Sequence, residues 1–128
     1  MQWMALAGVV LVAVAVLGFL PNPIVTNDPT ALVPVDALHS IVHLGTGVIA
    51  LYIAFGLRGD TQANATIGFG VLYVVIFLAV LVSPTLFGLF SIKANAVLHV
   101  IHATLALVSL ATGYMSRGIT TRAPGLSR

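Results

Sequence analysis

Residues 35–57 read VDALHSIVHLGTGVIALYIAFGL, and this stretch decides the fold class. It holds one formal charge, Asp36 near its start, and then runs through apolar and small residues to Leu57 without a proline. About 20 helical residues cross a hydrocarbon core of about 30 Å. In lipid each backbone N–H and C=O must be satisfied within the structure, which selects a helix over an open strand. Three more stretches share this character: Met4–Leu20, Ala63–Val82 and Ala94–Met115. The 128 residues are 59% hydrophobic and 6% charged, with a mean hydropathy of +1.13. A soluble domain carries roughly 25% charged residues, so lipid is the expected solvent. The expected fold is all-α, an integral membrane four-helix bundle of two tandem helical hairpins, forming one domain over residues 1–128.

The first stretch lacks the basic start and the small-residue cleavage site of a signal peptide, so it reads as a true span. The net charge of +2 is too small to suggest nucleic acid, and its placement is more informative. Arg58 lies between the second and third spans, and Arg117, Arg122 and Arg128 follow the fourth. Lys93 lies on the other side. The positive-inside rule then puts both termini in the cytoplasm. The lack of cysteine excludes disulfides, thiolate metal sites and thiol catalysis.

All four histidines fall at the same end of two spans. His39 and His43 open the second, and His99 and His102 open the fourth. Ionisable groups at membrane depth are costly and normally face a bundle interior, a partner or a ligand. Asp36, His39 and His43 form one helical stripe that continues through Gly47, Ala50 and Ala54. Asn95, His99 and His102 form another, continued by Ala106, Ser109 and Gly113. Small residues let membrane helices approach closely, and polar ones bond across the seam, so the stripes are expected to face each other or a shared cavity. A helix N-terminus favours neutral imidazole over imidazolium, and neutral imidazole is the form that binds metals. The two blocks also align as a repeat, His39–Leu51 on Asn95–Leu107, which pairs His43 with His99 across an axis along the membrane normal.

Four readings are open for this constellation. The plainest is an interhelical hydrogen-bond network among the histidines, Asp36, Asn95 and Ser40. A second is a zinc or copper site using His39, His43, His99 and His102, with Asp36 as a further ligand or a partner that fixes a tautomer. A third is axial ligation of haem or a chlorophyll-type pigment by His43 and His99. The fourth is proton transfer or pH sensing.

Other features have plainer explanations. Trp3, Tyr52, Tyr73 and Tyr114 suit packing or interfacial anchoring. Gly68 and Gly70 suit helix packing, because no strand or P-loop lysine accompanies them. Ser83, Ser91 and Ser109 lack a base-and-acid triad, and Asp28 and Asp60 fall in loops. The Arg58-Gly-Asp60 triplet faces the cytoplasm in this topology, so integrin recognition is set aside. The outer segments 21–34 and 85–92 are rich in apolar residues and are expected to lie in the headgroup region or to cover the histidine end. The tail from Arg117 to Arg128 has little to pack.

The block His39-Ser-Ile-Val-His43-Leu44, with Asn95-Ala-Val-Leu98-His99 and Leu17-Gly-Phe-Leu-Pro21, resembles a family of small four-helix bacterial membrane proteins. This is domain-of-unknown-function family four-three-eight-three, and the resemblance runs from about Gly8 to Gly113. It implies a four-span fold and a shared set of His39, His43, Asn95 and His99, with no assigned activity. Ser40 stands where the family has asparagine, and His102 stands where an apolar or small residue is expected.

The functional expectation is a non-catalytic accessory subunit of a larger respiratory or photosynthetic membrane complex, with the bilayer and other membrane subunits as partners. A histidine-based metal, haem or pigment binder is the alternative, and a small transporter or proton pathway the third. Each leaves the protein without a catalytic centre.

Overall fold

A computed structural model describes residues 2–121 of the chain. Four helices are present among the described residues: α1 (Gln2–Leu17), α2 (Ala37–Gly56), α3 (Gly59–Val82) and α4 (Ala96–Thr121). Helices α2, α3 and α4 are each long and apolar enough to cross a membrane. Helix α1 has 16 residues, about 24 Å at 1.5 Å per residue. The apolar run continues to Leu20, yet the helix stops at Leu17, because Gly18 and Pro21 end it and tight turns carry Phe19 and Leu20. Asn22 then caps the exit, its amide donating to the Leu17, Leu20 and Val25 carbonyls at 2.7–2.9 Å. Helix α4 runs past Met115, so Arg117 is helical, whereas Arg122 and Arg128 lie outside the described residues.

The chain packs as two hairpins, α1 on α2 and α3 on α4. Glycines set both seams. A Cβ on Gly47 would lie 3.0 Å from the Val12 backbone nitrogen, and one on Gly70 would lie 2.9 Å from that of Leu110. Gly8 and Gly113 make matching approaches to Gly47 and Ala63. The link between α2 and α3 is almost as short as a chain allows, and Gly59 takes the left-handed φ of 56° that the reversal needs. Gln62 reaches back to cap α2, donating to the Ile53 and Ala54 carbonyls at 2.9 Å each.

The hairpins meet through a core of Met4, Leu11, Ile53, Phe69, Tyr73 and Leu105. Two hydrogen bonds of 2.8 Å cross between them, Thr46 Oγ1 with Tyr73 Oη and Trp3 Nε1–H to Ser109 Oγ. Much of the outer surface is apolar, with Val48, Phe55 and Leu107 all more than half exposed.

The segment between α1 and α2 adds one element that the sequence did not indicate. Strands β1 (Val25–Thr26) and β2 (Val33–Pro34) pair in parallel, Val25 opposite Val33. Together with Val35 and Leu98 these valines form a second small apolar cluster beside the start of α4. Asn95 fastens it, its amide donating to the Leu32 carbonyl at 3.1 Å.

Helices α2 and α4 begin in the same way. The Asp36 carboxylate accepts the His39 N–H at 2.8 Å, and its carbonyl accepts the Ser40 N–H at 3.0 Å. The Asn95 side chain accepts the Leu98 N–H at 3.1 Å, and its carbonyl accepts the His99 N–H at 3.1 Å. Both are N-caps of the usual kind. Counted from these caps, His43 corresponds to His102, and His39 to Leu98. The repeat is therefore offset by three residues from the alignment of His43 with His99. That earlier pairing matched a histidine to a histidine, whereas the backbone is indexed by where each helix is capped.

Candidate metal centre

Three histidines converge. His39 and His43 lie on successive turns of α2 with ring centres 4.4 Å apart, and His102 on α4 lies 6.1 and 6.2 Å from them. Each offers a ring nitrogen within 4.8 Å of the others, and all three residues are buried. The small residues farther along these stripes serve the hairpin seams, Gly47 against Val12 of α1 and Ala106 against Gly70 of α3.

His99 is not part of this group. It lies one residue off the buried stripe marked by Leu98, His102 and Leu105, and its ring meets Phe77 of α3 edge-on at 6.3 Å. The expected axial pair of His43 and His99 is thus not brought around one space. Asp36, weighed as a ligand, instead has both carboxylate oxygens committed. Oδ1 caps α2, and Oδ2 accepts from Ser91 N–H at 2.6 Å and Ser91 Oγ–H at 3.0 Å. Burial of this carboxyl raises its pKa, but the hydrogen bonds from His39 and Ser91 outweigh that and hold it below the usual carboxylate range.

The three imidazoles border a cavity of about 60 Å³, also lined by Tyr73 and Val80 of α3 and by Leu86 and Phe90 of the following segment. A single water needs roughly 10–15 Å³ measured this way, so the space suits an ion with a small ligand. Both His43 ring nitrogens and His102 Nδ1 are buried without a hydrogen-bond partner among the described residues. Unpartnered buried polar atoms cost about 1–3 kcal/mol each, and native structures rarely tolerate several together. A lone pair facing such a cavity is relieved by coordinating a cation.

Two participants had no signal in the sequence. Phe90 stacks on His39 at 4.5 Å with the rings 11° from parallel. Ser91 reaches Asp36 across 55 residues of chain, partly through a backbone N–H that any residue would supply. The apolar make-up of segment 85–92 did indicate a cover for this end. Tyr73, read as packing, lines the cavity beside His102 at 6.0 Å between ring centres. No family model, curated protein or solved structure matches this chain.

Proposed function

We propose that this is a multi-span membrane protein that holds one divalent transition-metal ion between the imidazoles of His39, His43 and His102. The observation that carries the reading is that three buried histidines each offer a ring nitrogen within 4.8 Å of the others beside a small cavity. Zinc–nitrogen bonds of about 2.0–2.1 Å put tetrahedral ligand atoms roughly 3.3 Å apart, so modest ring rotation closes the site. Three neutral nitrogens and no thiolate suit zinc or copper over calcium or magnesium. Two helix N-termini, each with about half a positive charge, oppose a cation here. The nearby Asp36 carboxylate supplies a full negative charge that offsets them. The fourth position is left to water or a small ligand, as in sites that do more than brace a fold.

In this reading the protein lies in the cell membrane with both termini cytoplasmic, following Arg58 and Arg117 against Lys93. The histidine end then faces outward. Elemental analysis of protein purified in mild detergent tests the site. One zinc or copper per chain is the expected result, and a preparation that takes up no ion from a zinc or copper titration would overturn the proposal.

A second reading rests on a separate observation. Large apolar side chains stand exposed beyond the helix ends at the histidine face, with Phe87 76% and Leu89 63% exposed. Exposed apolar patches mark contact surfaces. These support an accessory role in which another integral-membrane subunit covers this face. Co-purification of a stoichiometric membrane partner is the expected result, and a protein that stays alone in mild detergent would count against it.

A further inference from the structure

The segment from Pro84 to Ala94 is folded back on itself. Ala94 N–H donates to the Pro84 carbonyl, and Phe90 N–H to the Thr85 carbonyl, each at 2.9 Å. Between them Leu86, Phe87 and Gly88 take positive φ in succession, 49°, 57° and 88°. Left-handed backbone is free for glycine but costly for leucine and phenylalanine, and within the turn Leu86 N–H donates to the Ser83 carbonyl at 2.8 Å and Phe87 N–H to Ser83 Oγ at 2.9 Å. Two further contacts tie the segment to the start of α2. Phe90 lies flat on His39, and Ser91 is tied twice to the carboxylate that caps α2. The same segment supplies Leu86 and Phe90 as walls of the histidine cavity.

We infer that Pro84–Ala94 is a lid over the three imidazoles, with Phe90 as its plug and the Asp36–Ser91 contact as its latch, through which a small metal cation enters from the outer surface. The ion's identity rests on the metal reading above, whereas the lid rests on the contacts of this segment. Residues held in disfavoured backbone by their surroundings cluster where a structure has two states. Opening releases Leu86 and Phe87 from left-handed φ, and so the strain favours the open state while the latch and plug favour the closed one. Charge-assisted hydrogen bonds such as those at Asp36 are about twice as strong as neutral ones. The latch therefore decides the balance.

The test is the rate at which diethyl pyrocarbonate modifies each histidine, read by mass spectrometry on full-length, metal-free protein in lipid nanodiscs with chelator present. Asp36→Asn keeps a good N-cap but turns an acceptor toward Ser91 into a donor. It should speed modification of His39 and His43 about tenfold, the loss of one charged hydrogen bond, and Phe90→Ala should act in the same direction. Phe87→Gly, at an exposed position, removes the strain and should slow modification. His99, outside the cavity, serves as the internal reference and should not respond. Unchanged rates at His39 and His43 in both Asp36→Asn and Phe90→Ala would overturn the lid, as would full reactivity of the unsubstituted protein. A zinc titration of the same samples separates the two ideas. Gated reactivity without zinc uptake keeps the lid and removes the metal, while zinc uptake with ungated reactivity does the reverse.

Discussion

His43 and His102 stand at the same distance past the caps of their helices and meet with ring centres 6.2 Å apart, edge toward face. Each lies on the buried stripe of its helix, so the two hairpins bring one such imidazole apiece to a common space. His39 joins them because it lies one turn earlier on α2, whereas the corresponding place on α4 is Leu98. Two hairpins with helices capped alike thus bring together an asymmetric set of three histidines.

Ion binding by the folded state alone should raise stability. A ligand at a hundred times its dissociation constant adds about 2.7 kcal/mol. Stripping the protein with a chelator should therefore lower its unfolding temperature, and restoring zinc should return it. The same cycle on His43→Ala should leave the temperature unmoved. A chelator effect that persists in that variant would assign the ion elsewhere.

The helix glycines divide into two classes, those at a seam and those facing outward. A methyl group at Gly70 would meet Leu110 backbone and side chain at 2.9 and 2.8 Å, so Gly70→Ala should cost about 1–3 kcal/mol, the usual range for overpacking. Gly45 and Gly68 have open space where a Cβ would stand. Alanine at either should be neutral or stabilise by up to about 1 kcal/mol through helix propensity. Denaturation in mixed micelles would compare the three.

The Thr46–Tyr73 and Trp3–Ser109 hydrogen bonds between the hairpins should be individually modest. Side-chain hydrogen bonds in membrane proteins average about 0.6 kcal/mol and reach about 1.7. Tyr73→Phe and Trp3→Phe should each fall in that range, because the ring remains to fill its place. Tyr73→Ala should cost more, about 3–5 kcal/mol if the cavity does not collapse. Equal losses for the phenylalanine and alanine variants would show that packing around Tyr73 matters little.

The Asp36 carboxyl makes stability depend on acidity in a defined direction. Its folded pKa lies below the ordinary value of 3.8. Its contribution is present in full above the unfolded value and is lost as pH falls through the lower folded one. The stability difference between the unsubstituted protein and Asp36→Asn should hence be constant above about pH 5 and shrink below the unfolded value. A difference that grows on acidification would contradict the hydrogen bonds assigned to this carboxylate.

Much of this was legible in the sequence because membrane helices write their length and their faces in composition. The long apolar helix Ala37–Gly56, the stripes through Ala50 and Ser109, and the apolar cover near residues 85–92 all follow from hydropathy and helical period. The choice between His99 and His102 did not follow, since residues three apart share a face. Only the cap at Asn95 indexes the helix and puts His102 opposite His43. The role of Asp36 was half visible: a carboxylate in the first turn reads equally as a cap or a ligand. Its contact with Ser91 settles the matter, and such a contact across 55 residues leaves no local pattern. The end of α1 at Leu17 was missed for a related reason, because Phe19 and Leu20 extend the apolar run through a turn.

The most direct measurement is a cobalt titration of His102→Ala beside His99→Ala, followed by the visible absorption of a four-coordinate nitrogen site. With His39, His43 and His102 as ligands, His102→Ala should lose the absorption and at least tenfold in affinity, while His99→Ala should bind one equivalent as the unsubstituted protein does. Loss in His99→Ala with retention in His102→Ala, or no absorption in the unsubstituted protein, would contradict the trihistidine centre.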